Sequence, residues 1–159
     1  MATVTKSILT TLAILGLSLS VTGVATSEGG KTWDSDRVSE LANELAQQVK
    51  SMRAAARMDP LVISAGTPAK QRTTQLFLDA LKKLERTTAK LARQLANEET
   101  RQQTAGTARR LASLLKDATE QGRKLNSSQW TSQYADPALA LASQLQDFYQ
   151  DNPDSTSTP

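Results

Sequence analysis

LANEETRQQTAGTARRLASLL, residues 95–115, contains no proline, and its only glycine, Gly106, lies well inside it. Whether a helix runs through this stretch or folds back decides between an extended rod and a compact bundle. The register on either side gives the answer. Upstream, Phe77, Leu84 and Leu91 recur at one heptad position and Leu81, Thr88 and Leu95 at the other, which predicts a single buried seam. Continued, that seam would pass through Glu98, Gln102, Ala105, Arg109, Ala112 and Lys116, a poor set for a core. The apolar residues present instead are Ala108, Leu111, Leu115, Ala118, Gly122 and Leu125, with Thr104 before them. At about 100° per residue this second stripe lies a third to half a turn around from the first. A straight helix would have to bury opposite faces in its two halves. Local chemistry points to a turn. Asn97 tolerates the left-handed conformation that closes many helices, and Thr100 with Gln103 fits a T-x-x-Q capping box. ANEET is therefore expected to join two antiparallel helices.

The rest of the chain fits the same plan. Before the connection, TWDSDRVSELANELAQQVKSMRAAARM reads as a first helix with Asp34 as N-cap and Trp33 placed to staple onto Val38. Its apolar stripe is Val38, Leu41, Leu45, Val49, Met52 and Ala56; acids in the first half and bases in the second suit the helix dipole. Asp59-Pro60 ends it. In the following DPLVISAGT, Leu61, Val62 and Ile63 are expected to cap the core, or to form an apolar contact loop for a partner. Thr67 caps the second helix, with Pro68 at its first position. After the third helix, NSSQWTSQYAD reads as a linker or short helical turn in which Trp130 and Tyr134 would share a face. Asp136-Pro137 then opens a short fourth helix with Leu141, Leu145 and Phe148 on one side. The expected fold is all-α: an antiparallel up-down-up-down four-helix bundle with a short fourth helix, spanning 34–150.

The ends read differently. Residues 8–21 form an apolar run after a single charge at Lys6, followed by small residues; this predicts a signal peptide over 1–25, cleaved after Ala25, and an exported mature chain. A flexible tail is expected over 26–33 and a disordered one over 151–159. No transmembrane segment is expected in the mature chain.

Composition excludes most chemistry. Among 159 residues there is no Cys and no His, so there is no thiolate or imidazole for catalysis or metal binding. Paired carboxylates remain at Glu98-Glu99, Asp34 with Asp36, and Asp117 with Glu120, and each has a structural role as turn, cap or surface group. No catalytic residue, cofactor or metal is predicted. In helix count and length the layout resembles the periplasmic four-helix cytochromes. That family holds haem through His, often within C-x-x-C-H, and this chain has neither residue. Asn126-Ser127-Ser128 matches an N-glycosylation sequon.

Charge is the positive feature. Residues 68–125 carry thirteen basic and six acidic side chains, whereas 126–159 carry four acidic and none basic. Lys82, Arg86, Lys90 and Arg93 form a stripe, joined by Arg109, Arg110 and Lys116, with Arg123 and Lys124 adding to the field. With no aromatics interleaved for base stacking, nucleic acid is not the expected partner. The chain reads as an exported, non-enzymatic interaction or structural module whose partner is an unidentified protein or anionic envelope component. The alternative is association with anionic lipid or envelope polymer through the basic face. Self-association is open to either.

Overall fold

The chain folds back within 95–115. In the computed structural model, which describes residues 31–64 and 66–150, α3 (Pro68–Ala96) and α4 (Arg101–Leu125) are separate helices packed on each other. α1 (Ser35–Met58) and α2 (Pro60–Ile63) precede them; α5 (Ser128–Trp130), a π-helical segment (Thr131–Ala135) and α6 (Asp136–Asp147) follow. The described residues are helical, with no strand, and no helix among them is long and apolar enough to cross a membrane.

At the turn the capping box forms: Thr100 Oγ1 accepts from Gln103 N, and Gln103 Oε1 accepts from Thr100 N at 2.7 Å. The left-handed residue is Glu98, at φ 58°, and not Asn97. Asn97 is the C-cap at φ −89°. Glu98 N then donates to Leu95 O at 3.0 Å and Glu99 N to Gln94 O at 3.1 Å. This crossed pair is the Schellman closure, which needs the left-handed conformation one residue past the C-cap. α3 runs to Ala96, so the strained position falls on Glu98.

Both seams are buried as their register predicts, except that Leu125, at the end of the second, is only half-buried. The α3 residues Phe77, Leu81, Leu84, Thr88, Leu91 and Leu95 are all buried, and so are Thr104, Ala108, Leu111, Leu115, Ala118 and Gly122 of α4. Each fully buried Leu or Phe contributes about 1.5–3 kcal/mol. Thr88 escapes the penalty of a buried hydroxyl by donating to Leu84 O and Glu85 O in its own helix. The expected stripe of α1 is buried throughout. α1 packs on α3 and α6, α3 on α4, and α4 on α6. Arg53 of α1 pairs with Glu85 of α3 in a half-buried bridge.

The stretch after α4 departs from expectation. It is not a linker but a helical run beginning at Ser128, capped by Ser127. Pro137 lacks an N–H, and its ring would crowd the Gln133 carbonyl in a regular helix. The π-turn widens the backbone there, and Gln48 Nε2 of α1 donates to the carbonyls of Gln133 (3.2 Å) and Tyr134 (3.1 Å). In an α-helix, residues five apart lie about 140° from each other; a π-turn brings them near one face. Trp130 and Ala135 are accordingly both buried, while Tyr134 is only half-buried. Leu145 and Phe148 are buried as expected, but Leu141 is half-buried and Ala142 takes the inner place.

Trp130 is the keystone of this end. Its indole Nε1 donates to Met52 O of α1 at 3.0 Å, and its ring meets Phe77 of α3 edge-on at 5.8 Å. It lies directly on Gly122 of α4, where a Cβ would collide with carbons of the indole ring and approach Phe77 to 3.2 Å. Trp33, placed by the sequence to staple onto Val38, also meets Tyr149 edge-on at 5.3 Å, because the end of α6 lies beside the start of α1. Lys31 also bonds there, its N–H to Asp147 O at 3.0 Å. The predicted signal peptide, the part of the N-terminal tail up to residue 30 and the C-terminal tail from 151 lie outside the described residues.

Two substitutions test this packing. Gly122→Ala gains about 1 kcal/mol of helix propensity but overpacks the Trp130 seat, for a net loss of about 1–2 kcal/mol in urea unfolding. Glu98→Gly relieves the left-handed strain and, after the extra flexibility of unfolded glycine, raises stability by about 0.5 kcal/mol in the same measurement.

Candidate functional site

α3 and α4 place the predicted cations on the exterior. Lys82, Arg86, Lys90, Arg93, Arg109, Arg110 and Lys116 are all exposed, and among the described residues none of the seven is in a salt bridge. They divide into neighbouring sets. Lys82, Lys83 and Arg86 border a groove of about 400 Å³ between the two helices, which also holds Asp79, Asp117 and the exposed Leu76. Towards the hairpin, Lys90 of α3 and Arg110 of α4 face each other across a second groove of about 330 Å³, with Gly106 in its lining. Gly106 has open space where a Cβ would stand, so no close packing in the fold demands a glycine there. Arg109 turns instead to a cleft beside Tyr149, and Lys116 follows it two turns on. Arg123, one further repeat along, is taken up by Asp136 at 2.9 Å. Arg93 donates its Nε to Ala89 O.

The predicted apolar loop is a single helical turn, α2, and its three residues do not act together. Val62 is 6% exposed and packs inward, whereas Leu61 and Ile63 are 58% and 66% exposed and cap nothing. Within the turn only Val62 faces the core, and Pro60, Leu61 and Ile63 are exposed. Asp59, at its N-cap, is buried and carries the tightest polar cluster of this corner. Its Oδ1 accepts from Leu61 N at 2.9 Å, and its Oδ2 accepts from Ser127 N at 3.0 Å and Ser127 Oγ at 2.7 Å. Burial alone would raise its pKa, but these hydrogen bonds outweigh it and hold the carboxyl below its usual range. Ser127 Oγ in turn accepts from Trp130 N, so Asp59 caps α2 directly and holds the residue that caps α5. The sequence shows Asp59 as a helix stop; its partner is 68 residues away, and no local pattern announces it.

At the opposite end, Tyr149 donates to Thr104 Oγ1 at 2.9 Å, and Thr104 donates to Thr100 O. Burial pushes the Tyr149 phenol up, against the opposing effects of the Thr104 bond and the Arg101 charge. Of the paired carboxylates, two close helix ends and one lies at a groove. Asp34 accepts from Arg37 N, Glu99 accepts from Gln94 Nε2, and Asp117 edges the α3–α4 groove. Among the described residues no three acidic side chains gather as a metal site. Asn126 of the sequon is 6% exposed with its Nδ2 on Gly122 O at 3.0 Å, so a glycan cannot be attached in the folded state. No known protein family, curated protein or solved structure matches the chain.

Asp59→Asn removes a charged acceptor from three donors and is expected to cost about 1–3 kcal/mol at neutral pH. Because the folded pKa is lowered, this contribution is present above the unfolded value of about 4 and fades as pH falls through the folded value. Thermal unfolding of the two proteins should therefore differ at pH 7, and the difference should shrink as the pH falls below the unfolded value.

Proposed function

We propose that the chain is an exported, non-enzymatic interaction module: an antiparallel up-down-up-down four-helix bundle that holds an anionic partner of the cell envelope on the exterior of α3 and α4. The bundle reading is supported by the cyclic packing of α1 on α3, α3 on α4, α4 on α6 and α6 on α1. It is also supported by contacts such as Phe77, early in α3, beside Gly122, late in α4. Export rests on the apolar run at 8–21. The observation that carries the function is the set of seven exposed cations on α3 and α4, none of them in a salt bridge among the described residues. Lys90 and Arg110 on opposite walls of one groove, with Gly106 leaving its lining low, suit an extended polyanion passing between the helices.

Elution from immobilised heparin, used as a generic polyanion, tests this reading. The combined variant Lys82→Gln, Arg86→Gln, Lys90→Gln, Arg110→Gln should elute at markedly lower salt than the parent chain, whereas Lys70→Gln with Lys124→Gln should move it less. Equal elution of the four-site variant and the parent would remove the basis for the proposal.

A further inference from the structure

A different surface has the chemistry of a lipid contact. Among the described residues four large apolar side chains are exposed, and three of them fall in one short segment: Met58 (74%), Leu61 and Ile63, at the corner where α1 passes into α2. Exposed Arg57 precedes them in the last turn of α1. Leu61 shares a cleft with Lys70 of α3 and Lys124 of α4, both exposed. Among the described residues none of these three cations is in a salt bridge, although Glu120 lies one turn before Lys124 on α4. The only acid in residues 57–74 is Asp59, which is buried with both oxygens engaged, and 121–135 has none. The acids Asp34, Asp36, Glu98 and Glu99 sit on the termini and turn at the other end of the long helices.

We propose that the α1–α2 corner is a membrane-contact tip, in which Met58, Leu61 and Ile63 enter the interfacial layer of an anionic bilayer while Arg57, Lys70 and Lys124 meet its phosphate headgroups. Apolar side chains ringed by cations are the combination that binds anionic interfaces, since apolar burial and headgroup attraction add. A second copy of the chain is the poorer occupant, because a tip-to-tip contact would press the two cation rims together. With acids at the far end, the molecule would stand end-on, leaving the α3–α4 exterior accessible. The tip does not rest on the polyanion reading, and it uses none of the same residues.

The chain has no Cys, so one introduced thiol takes a probe uniquely. Full-length Ile63→Cys, Lys90→Cys and Gln102→Cys, each carrying an environment-sensitive fluorophore, report the tip, the basic face and the far end. Any lipid binding by the apolar run at 8–21 is common to all three. Titration with phosphatidylglycerol-containing vesicles should shift the emission of the probe at 63 to the blue and leave those at 90 and 102 unchanged. Pure phosphatidylcholine should give a weaker response. Replacing Lys70 and Lys124 by Gln should raise the lipid needed for half-response by about fivefold for each cation. Circular dichroism confirms that each variant is folded. A shift at 90 without one at 63 would overturn the tip and put lipid on the α3–α4 face. No shift at 63 would overturn it outright. A shift at 63 that follows protein concentration and not lipid would overturn it in favour of a second copy.

Discussion

The position of Trp130 on Gly122 is the constraint on which the arrangement of the last helices depends. One indole touches three other helices at once: its ring covers α4 at Gly122 and meets Phe77 of α3, and its N–H reaches the Met52 carbonyl of α1. An indole buried without a partner for its N–H would lose much of what its area gains. The bond to Met52 removes that loss and fixes the depth of insertion. From there the backbone has to reach Ala135 and then Ala138 on the same inner side, and the π-turn supplies the extra residue. Gln48 stabilises the carbonyls exposed by the widened turn, so the irregularity is held from α1 as well as by Pro137.

Polar ties then fix the two ends. At one, Asp59 accepts from Leu61 and Ser127 and so joins the α1–α2 corner to the start of α5. At the other, Tyr149 bonds Thr104, Trp33 stacks on Tyr149, and Arg101 Nη2 donates to Gln150 O at 2.7 Å. These groups are few, and most of them close a helix end. An apolar seam of Leu and Ala fixes which faces meet but tolerates sliding by a turn; specific hydrogen bonds at both ends remove that freedom. The fold therefore combines a simple interior with specified corners.

What the sequence discloses follows from this division. The seams of α1, α3 and α4 are periodic, and every residue read as core in α1 and α3 is buried. The hairpin was legible because two periodic stripes cannot share one straight helix, and because a capping box is local. Glu98 was missed by one position: a Schellman closure places the left-handed residue by where the helix ends, and residue preference alone selected Asn97. The Asp59–Ser127 tie and the Gln48 contacts join residues 68 and more than 80 positions apart. Nothing in either segment marks its partner. Trp33 illustrates the same limit, since no local pattern marks its ring contact with Tyr149 near the other end of the described residues. The cations were legible as an exterior stripe, but their division between two grooves and a flank depends on how α3 and α4 pack.

α4 holds two interior glycines, and their contrast bears on function. Each sacrifices about 1 kcal/mol of helix propensity relative to alanine. At Gly122 the reason is steric, because the Trp130 ring occupies the space of a side chain. At Gly106 no atom stands within 4 Å of the missing Cβ, so packing supplies no reason. The groove it lines also holds Lys90 of α3 and, one turn further along α4, Arg110. The α3 cations Lys82, Arg86 and Lys90 repeat at i, i+4, where like charges repel by about 0.2–0.5 kcal/mol per pair. By contrast, α1 sets Arg37 against Glu40 at a similar spacing. The exterior of α3 and α4 thus carries two features that weaken an isolated helix, a glycine and a stripe of like-charged basic neighbours, and they meet at one groove. Binding an anion there would offset the repulsion and use the space that the glycine leaves open.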